Sequence, residues 1–185
     1  MIARATRTPA FATDRTLLGV AMFIVSESVF FLSIVVAYVA YRNAGLAEAR
    51  AHLDIGRTAL FSVLLFSSSW TMARANAGQD RRWLAATALL GALFLLGQGS
   101  EYARLLASGI GPASALFGTT FFTLTGLHGV HVLAGLAAIA ALFAASRRRP
   151  RAVRPVAWEA VAIYWHFVDA VWVVVFGAVY LGTLL

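Results

Sequence analysis

LLGVAMFIVSESVFFLSIVVAYVAY, the stretch Leu17–Tyr41, decides the fold. It runs for 25 residues with a single charge, Glu27, and no proline. A helix needs ~20 mostly apolar residues to cross the hydrocarbon core of a bilayer, so this stretch reads as a membrane span.

Working outward, four more stretches are similar: Arg57–Ala73, Trp83–Leu106, Leu116–Ala145 and Trp158–Leu184. The second is the shortest, and the fourth is long enough to tilt. The expected fold is all-α, an integral membrane bundle of five transmembrane helices. Residues 1–16 form a short cytoplasmic segment, and residues 17–185 form one membrane domain. The connections are short and polar, too small to fold alone, and no internal repeat is visible. Composition agrees: 61% of the residues are hydrophobic and 12% charged, which excludes a disordered tail or an ordinary soluble domain. Met1–Asp14 is polar and basic, and the apolar stretch behind it is too long for a signal-peptide core. No cleaved signal is expected.

The chain has no Cys. That excludes disulfides, cysteine-ligated zinc and iron–sulfur clusters. The net charge of +7 is carried by Arg, with no Lys. The arginines sit between apolar stretches, so they read as topology signals rather than as a nucleic-acid face. The N-terminus and the second and fourth connections carry Arg4, Arg7, Arg15, Arg74, Arg81, Arg82 and the cluster Arg147, Arg148, Arg149, Arg151 and Arg154. The opposite side has Arg42, Arg50, Arg57 and Arg104. Positive charge stays inside, which places the N-terminus in the cytoplasm and the C-terminus outside.

An ionised residue at mid-bilayer costs roughly 2.5–3.5 kcal/mol on insertion scales. The polar residues within the spans are therefore the candidate functional set: Glu27, Gln98, Glu101, His128, His131, His166 and Asp169. Gln98/Glu101, His128/His131 and His166/Asp169 are each spaced i, i+3 and share a helix face. At ~1.5 Å rise per residue, Glu27, Asp169 and the histidines lie at depths where one buried layer could form. Gln98 and Glu101 lie nearer the outer surface. Each has a plainer reading. Glu27 is either a structural acid satisfied by Ser or Thr, or a functional carboxyl. His128 and His131 have metal-pair spacing without an obvious third ligand, so interhelical hydrogen bonding is the expectation and no metal site is assigned. Glu101 either belongs to this buried set or faces interfacial water beside Tyr102. The aromatics Tyr164, Trp165 and Trp172 are expected to contact lipid or a partner subunit, as an interfacial belt does.

Four of the spans carry motifs. The first contains Gly19-Val20-Ala21-Met22-Phe23-Ile24-Val25-Ser26-Glu27-Ser28-Val29-Phe30-Phe31. The third ends Gln98-Gly99-Ser100-Glu101-Tyr102. The fourth contains Gly126-Leu127-His128-Gly129-Val130-His131-Val132, and the fifth Tyr164-Trp165-His166-Phe167-Val168-Asp169-Ala170-Val171-Trp172. Together and in this order they resemble the cytochrome c oxidase subunit III family, in its short five-helix bacterial form. The second span offers only Ser67-Ser68-Ser69-Trp70. Longer members have seven helices, and this chain begins at the equivalent of their third.

The resemblance implies a non-catalytic core subunit of a haem–copper oxidase, coupling cytochrome c oxidation and oxygen reduction to proton pumping. Haem and copper would reside in partner subunits, with subunit I as the main contact and subunit II in the same complex. This chain would bind no cofactor and contribute no catalytic residue. It would hold structural phospholipid, stabilise subunit I and support its proton uptake. Glu27 matches the family's buried carboxyl that reacts with hydrophobic carbodiimides. Three other readings stand beside this one: subunit III of a quinol oxidase, the accessory protein of a nitric oxide reductase, and a small transporter. Glu27 in place of Asp favours the cytochrome c branch. The complete fourth- and fifth-span motifs count against the reductase. The absence of a repeat and of proline within the spans counts against a transporter.

Overall fold

A computed structural model describes residues 15–41, 51, 53–114, 116–148 and 152–183. Five long helices follow in order: α1 Arg15–Tyr41, α2 Ile55–Gly78, α3 Arg81–Ala107, α4 Leu116–Arg148 and α5 Pro155–Val179, ending in a 3-10 turn, Leu181–Thr183. The fold is the all-α five-helix bundle expected. Arg4, Arg7, Arg42, Arg50, Arg149 and Arg151, and nearly all of the 1–16 segment, lie outside the described residues.

Local chemistry sets the ends. Asp54 caps α2, its carboxylate accepting from the Arg57 N–H at 3.0 Å, and Asp80 caps α3, accepting from Arg82 N–H at 2.8 Å. Between them Gln79 takes a left-handed conformation, φ 47°, which turns the chain back within two residues. Pro155 opens α5, where its missing N–H has no helical partner to lose. Arg147 and Arg148 close α4, and their charge complements the partial negative charge of that helix end.

α1, α3, α4 and α5 are long and apolar enough to cross a membrane; α2 has the length, 24 residues or about 36 Å, but not the apolarity. The bundle explains the shortfall. Thr58, Ser62, Ser68 and Thr71 of α2 are buried, facing protein instead of lipid. Trp172 Nε1–H donates to Ser62 Oγ at 2.8 Å, and Ser62 donates to the Thr58 carbonyl. Trp165 Nε1–H donates to Ser68 Oγ at 2.9 Å, and Ser68 donates to the Leu65 carbonyl. Each serine accepts an indole proton and gives its own to its helix backbone, so these two serines and two indoles are satisfied within the bundle.

Trp165 and Trp172 correct one expectation. Both have no exposed surface and are core residues, not lipid or subunit contacts. Trp165 fits because α3 and α4 present glycine to it. A Cβ built on Gly91 would lie 2.6 Å from the indole, and one on Gly135 would lie 2.8 Å from it. Without water inside the bilayer, helix association rests on such close packing and on interhelical hydrogen bonds. Tyr164 is half-buried, and its hydroxyl donates to the His131 carbonyl at 3.1 Å.

α5 is the hub. It packs on α1, α2 and α4, while α3 bridges α2 and α4. α1 lies at the edge, packing on α4 and α5 and burying Phe31, Val35 and Tyr38.

Candidate functional site

The mid-membrane polar residues form two clusters rather than one layer. In the first, Glu27 of α1 meets His131 of α4: Glu27 Oε2 lies 3.1 Å from His131 Nε2. The other ring nitrogen, Nδ1, lies 2.9 Å from the Leu127 carbonyl. A carbonyl only accepts, so Nδ1 must carry a proton. A second proton then has to sit between Nε2 and the carboxyl, giving either an acid donating to a neutral imidazole or a carboxylate accepting from an imidazolium. Both arrangements are net neutral, which suits a site of low dielectric. Phe31 closes over the pair, its ring edge-on to His131 at 4.9 Å.

The second cluster joins α2 and α5. Ser69 Oγ lies 3.0 Å from His166 Nδ1 and donates a short hydrogen bond to Asp169 Oδ2. Asp169 is buried, and its Oδ1 has no partner among the described residues. Ser69 is the member that sequence reasoning missed. Its signal was present in Ser67-Ser68-Ser69, but nothing in the sequence aimed that run at Asp169.

His128 belongs to neither cluster. It is fully buried, stacked on Trp172 at 4.8 Å and edge-on to Phe94 at 5.8 Å, with no hydrogen bond to either ring nitrogen among the described residues. The interhelical hydrogen bond expected of it is absent, because the i, i+3 pair diverges: His131 turns to α1 and His128 to the aromatic core.

Gln98 and Glu101 lie towards the C-terminal end of α3. Glu101 is 2% exposed and does not face water. It accepts from Arg104 Nη2 at 2.5 Å, Thr58 Oγ1 at 3.3 Å and the Asp54 N–H at 3.4 Å. This clamps the start of α2 to the end of α3. Next to it Tyr102 donates to Thr125 Oγ1 at 2.7 Å, since Thr125 gives its own proton to the Phe121 carbonyl. Gln98 Nε2 is buried with no hydrogen-bond partner among the described residues.

Among the described residues no three His, Asp or Glu side chains converge as metal ligands would. The geometry brings the ionisable residues together in two separate carboxyl–imidazole clusters on either side of α5.

Comparison with known proteins follows these motifs. Residues 59–183 match the family described as Cytochrome c oxidase subunit III. The chain is similar to cytochrome c oxidase subunit 3 of Synechocystis sp., 38% identical over 181 residues that cover 91% of this chain and 76% of that protein. It is 35% identical over 175 residues to cytochrome c oxidase subunit 3 of Corynebacterium diphtheriae, covering 88% and 85%. It is 33% identical over 176 residues to cytochrome bo(3) ubiquinol oxidase subunit 3 of Pseudomonas aeruginosa, covering 90% and 84%. With the five-helix bundle, the ordered motifs and these likenesses in agreement, this multi-pass membrane chain belongs to the cytochrome c oxidase subunit III family.

Proposed function

We propose that this chain is the non-catalytic subunit III of a bacterial haem–copper oxidase, that it packs on subunit I with subunit II in the same complex, and that it supports proton uptake there through Glu27. The observation carrying this reading is the Glu27–His131 contact, whose geometry requires one shared proton. Such a pair can pass its proton between carboxyl and imidazole at mid-membrane without changing the net charge of the site. Haem and copper belong to the partner subunits.

Structural phospholipid is part of the reading. At the inner end of α1, α4 and α5 an apolar groove of about 420 Å³ runs past Gly19, Val20 and Ala138 with Arg15 at its mouth. It continues past Thr16, Ala138 and Val161 towards Arg154. Guanidinium at the mouth and an apolar floor suit a phosphate headgroup and an acyl chain. The arginine bias supports a cytoplasmic N-terminus and an external C-terminus.

The cytochrome c branch is the first choice, because Glu27 occupies the carboxyl position and the Synechocystis and Corynebacterium relatives are named for it. The Pseudomonas relative favours a second reading, subunit III of a quinol oxidase. The test is to pull down the tagged chain in mild detergent, then take a reduced-minus-oxidised spectrum, assay copper and measure activity with each donor. Haem a or o with copper is expected, and the active donor separates the branches. A colourless eluate would remove the subunit assignment.

A further inference from the structure

α1 and α2 both pack on α5 but, among the described residues, form no extended seam with each other. Between them a strip of α5 is left open along the membrane: Ile163, Ala170, Val173 and Val174 are exposed. Beside α1 the strip deepens into an apolar hollow of about 280 Å³, bordered by Ser28, Leu32 and Ala170. His166 sits on the same strip, three residues after Ile163 and four before Ala170, on its α2 edge, where it meets Ser69.

His166 is not a residue for lipid to cover. It lies 11 positions from Pro155, about 16 Å along α5, near the middle of the bilayer. An imidazole is too short to reach either interface from there, unlike Arg or Lys. Its Nδ1 is engaged by Ser69, and among the described residues Nε2 has no partner. Asp169 Oδ1, one turn along, is buried and also unpaired. Acyl chains offer no hydrogen bond, so ionisable residues at this depth face protein or a water-filled cavity. The outward strip of α3, by contrast, carries Leu89, Leu93 and Leu96 and needs only lipid.

We propose that the groove between α1 and α2, floored by α5, is the docking site for a transmembrane helix of the catalytic subunit, which presents a hydrogen-bonding side chain to His166 and an apolar knob to the hollow beside Ala170. The assignment rests on the reading of this chain as a subunit III and adds to it the surface and its chemistry. A helix laid in a two-walled groove is a recurrent recognition mode. In lipid the polar contact selects the partner and the register.

The natural absence of cysteine makes the test clean. Single cysteines at Ala170→Cys and Val173→Cys, and at Leu93→Cys and Leu96→Cys for comparison, are labelled with a thiol-reactive benzophenone in native membranes. They are then irradiated, and the adducts mapped by peptide mass spectrometry. The groove positions should cross-link to one transmembrane helix of the haem–copper catalytic subunit, at least tenfold above the α3 positions. Lipid adducts alone from the groove, equal yields at both sites, or a cross-link to another protein would overturn the docking assignment. In parallel, His166→Phe should cut co-purified haem several-fold while His166→Gln, which keeps a hydrogen-bonding group, restores it; equal haem in all three would also overturn it. If the unsubstituted tagged chain brings down no haem–copper subunit, the subunit reading itself fails. If it does and the groove touches only lipid, only the docking assignment fails.

Discussion

Glu27 Oε2 and His131 Nε2, 104 residues apart in sequence, lie 3.1 Å from each other and share one proton. His131 Nδ1 is anchored to the Leu127 carbonyl one turn back, at 2.9 Å, which holds the ring with Nε2 towards the carboxyl. This contact ties the edge helix α1 to α4.

Glu27→Gln is therefore expected to assemble. Its amide can donate to Nε2 as the acid does, but it cannot release a proton. Glu27→Leu removes the partner of a part-buried imidazole and should cost about 1–2 kcal/mol of helix association. Native gels of solubilised membranes check this. Intact complex with Gln and reduced complex with Leu is the expected pattern; equal loss in both would mean the charge itself is structural.

Close packing around Trp165 gives a second expectation. Gly91→Ala and Gly135→Ala each push a methyl group into the indole. Overpacking a filled core costs typically 1–3 kcal/mol, seen as a lower melting temperature in detergent. Trp165→Phe added to Gly91→Ala should recover part of the loss by vacating the space. A double variant worse than either single change by their full sum would show that the ring and the glycine are not in contact.

Ser62 and Ser68 accept the two indole protons. Ser62→Ala and Ser68→Ala should each lower stability by about 0.6–2 kcal/mol, the range for hydrogen bonds between membrane helices. Exposed Ser67, which donates to the Val63 carbonyl of its own helix, is the control. Ser67→Ala should leave thermal unfolding unchanged.

Arg104 is the charged partner of buried Glu101. Arg104→Ala leaves that carboxyl with only neutral donors and should destabilise by roughly 1–3 kcal/mol. Glu101→Gln combined with Arg104→Ala should be milder than Arg104→Ala alone. Thermal melts of the three variants decide, and a double change more damaging than the single one would contradict the pairing.

His128 should behave in the opposite way. Nothing among the described residues bonds its ring nitrogens, so His128→Leu is expected to keep or raise the melting temperature, because an unpaired buried polar group costs free energy. A clear fall would reveal a polar partner at this imidazole.

Some of this was legible in the residues alone. About twenty mostly apolar positions suit a helix buried in lipid, so the all-α class and four of the spans followed from composition and length, while the second stretch was the shortest and its helix carries too many buried hydroxyls to stand out. Intramembrane polarity is costly, so Glu27, Glu101, His131, His166 and Asp169 stood out wherever they occurred. Spacing placed residues on a common face of their own helix. It could not say what that face meets, because the rotation of each helix about its axis is set by packing against its neighbours. Only the tertiary structure therefore joined Glu27 to His131, sent His128 into the aromatic core, gave Asp169 to Ser69 and turned the serines of α2 towards two buried tryptophans. Glycine on α3 and α4 left room for Trp165 at the centre, and with it in place the other helices could take only the orientations that satisfy its neighbours.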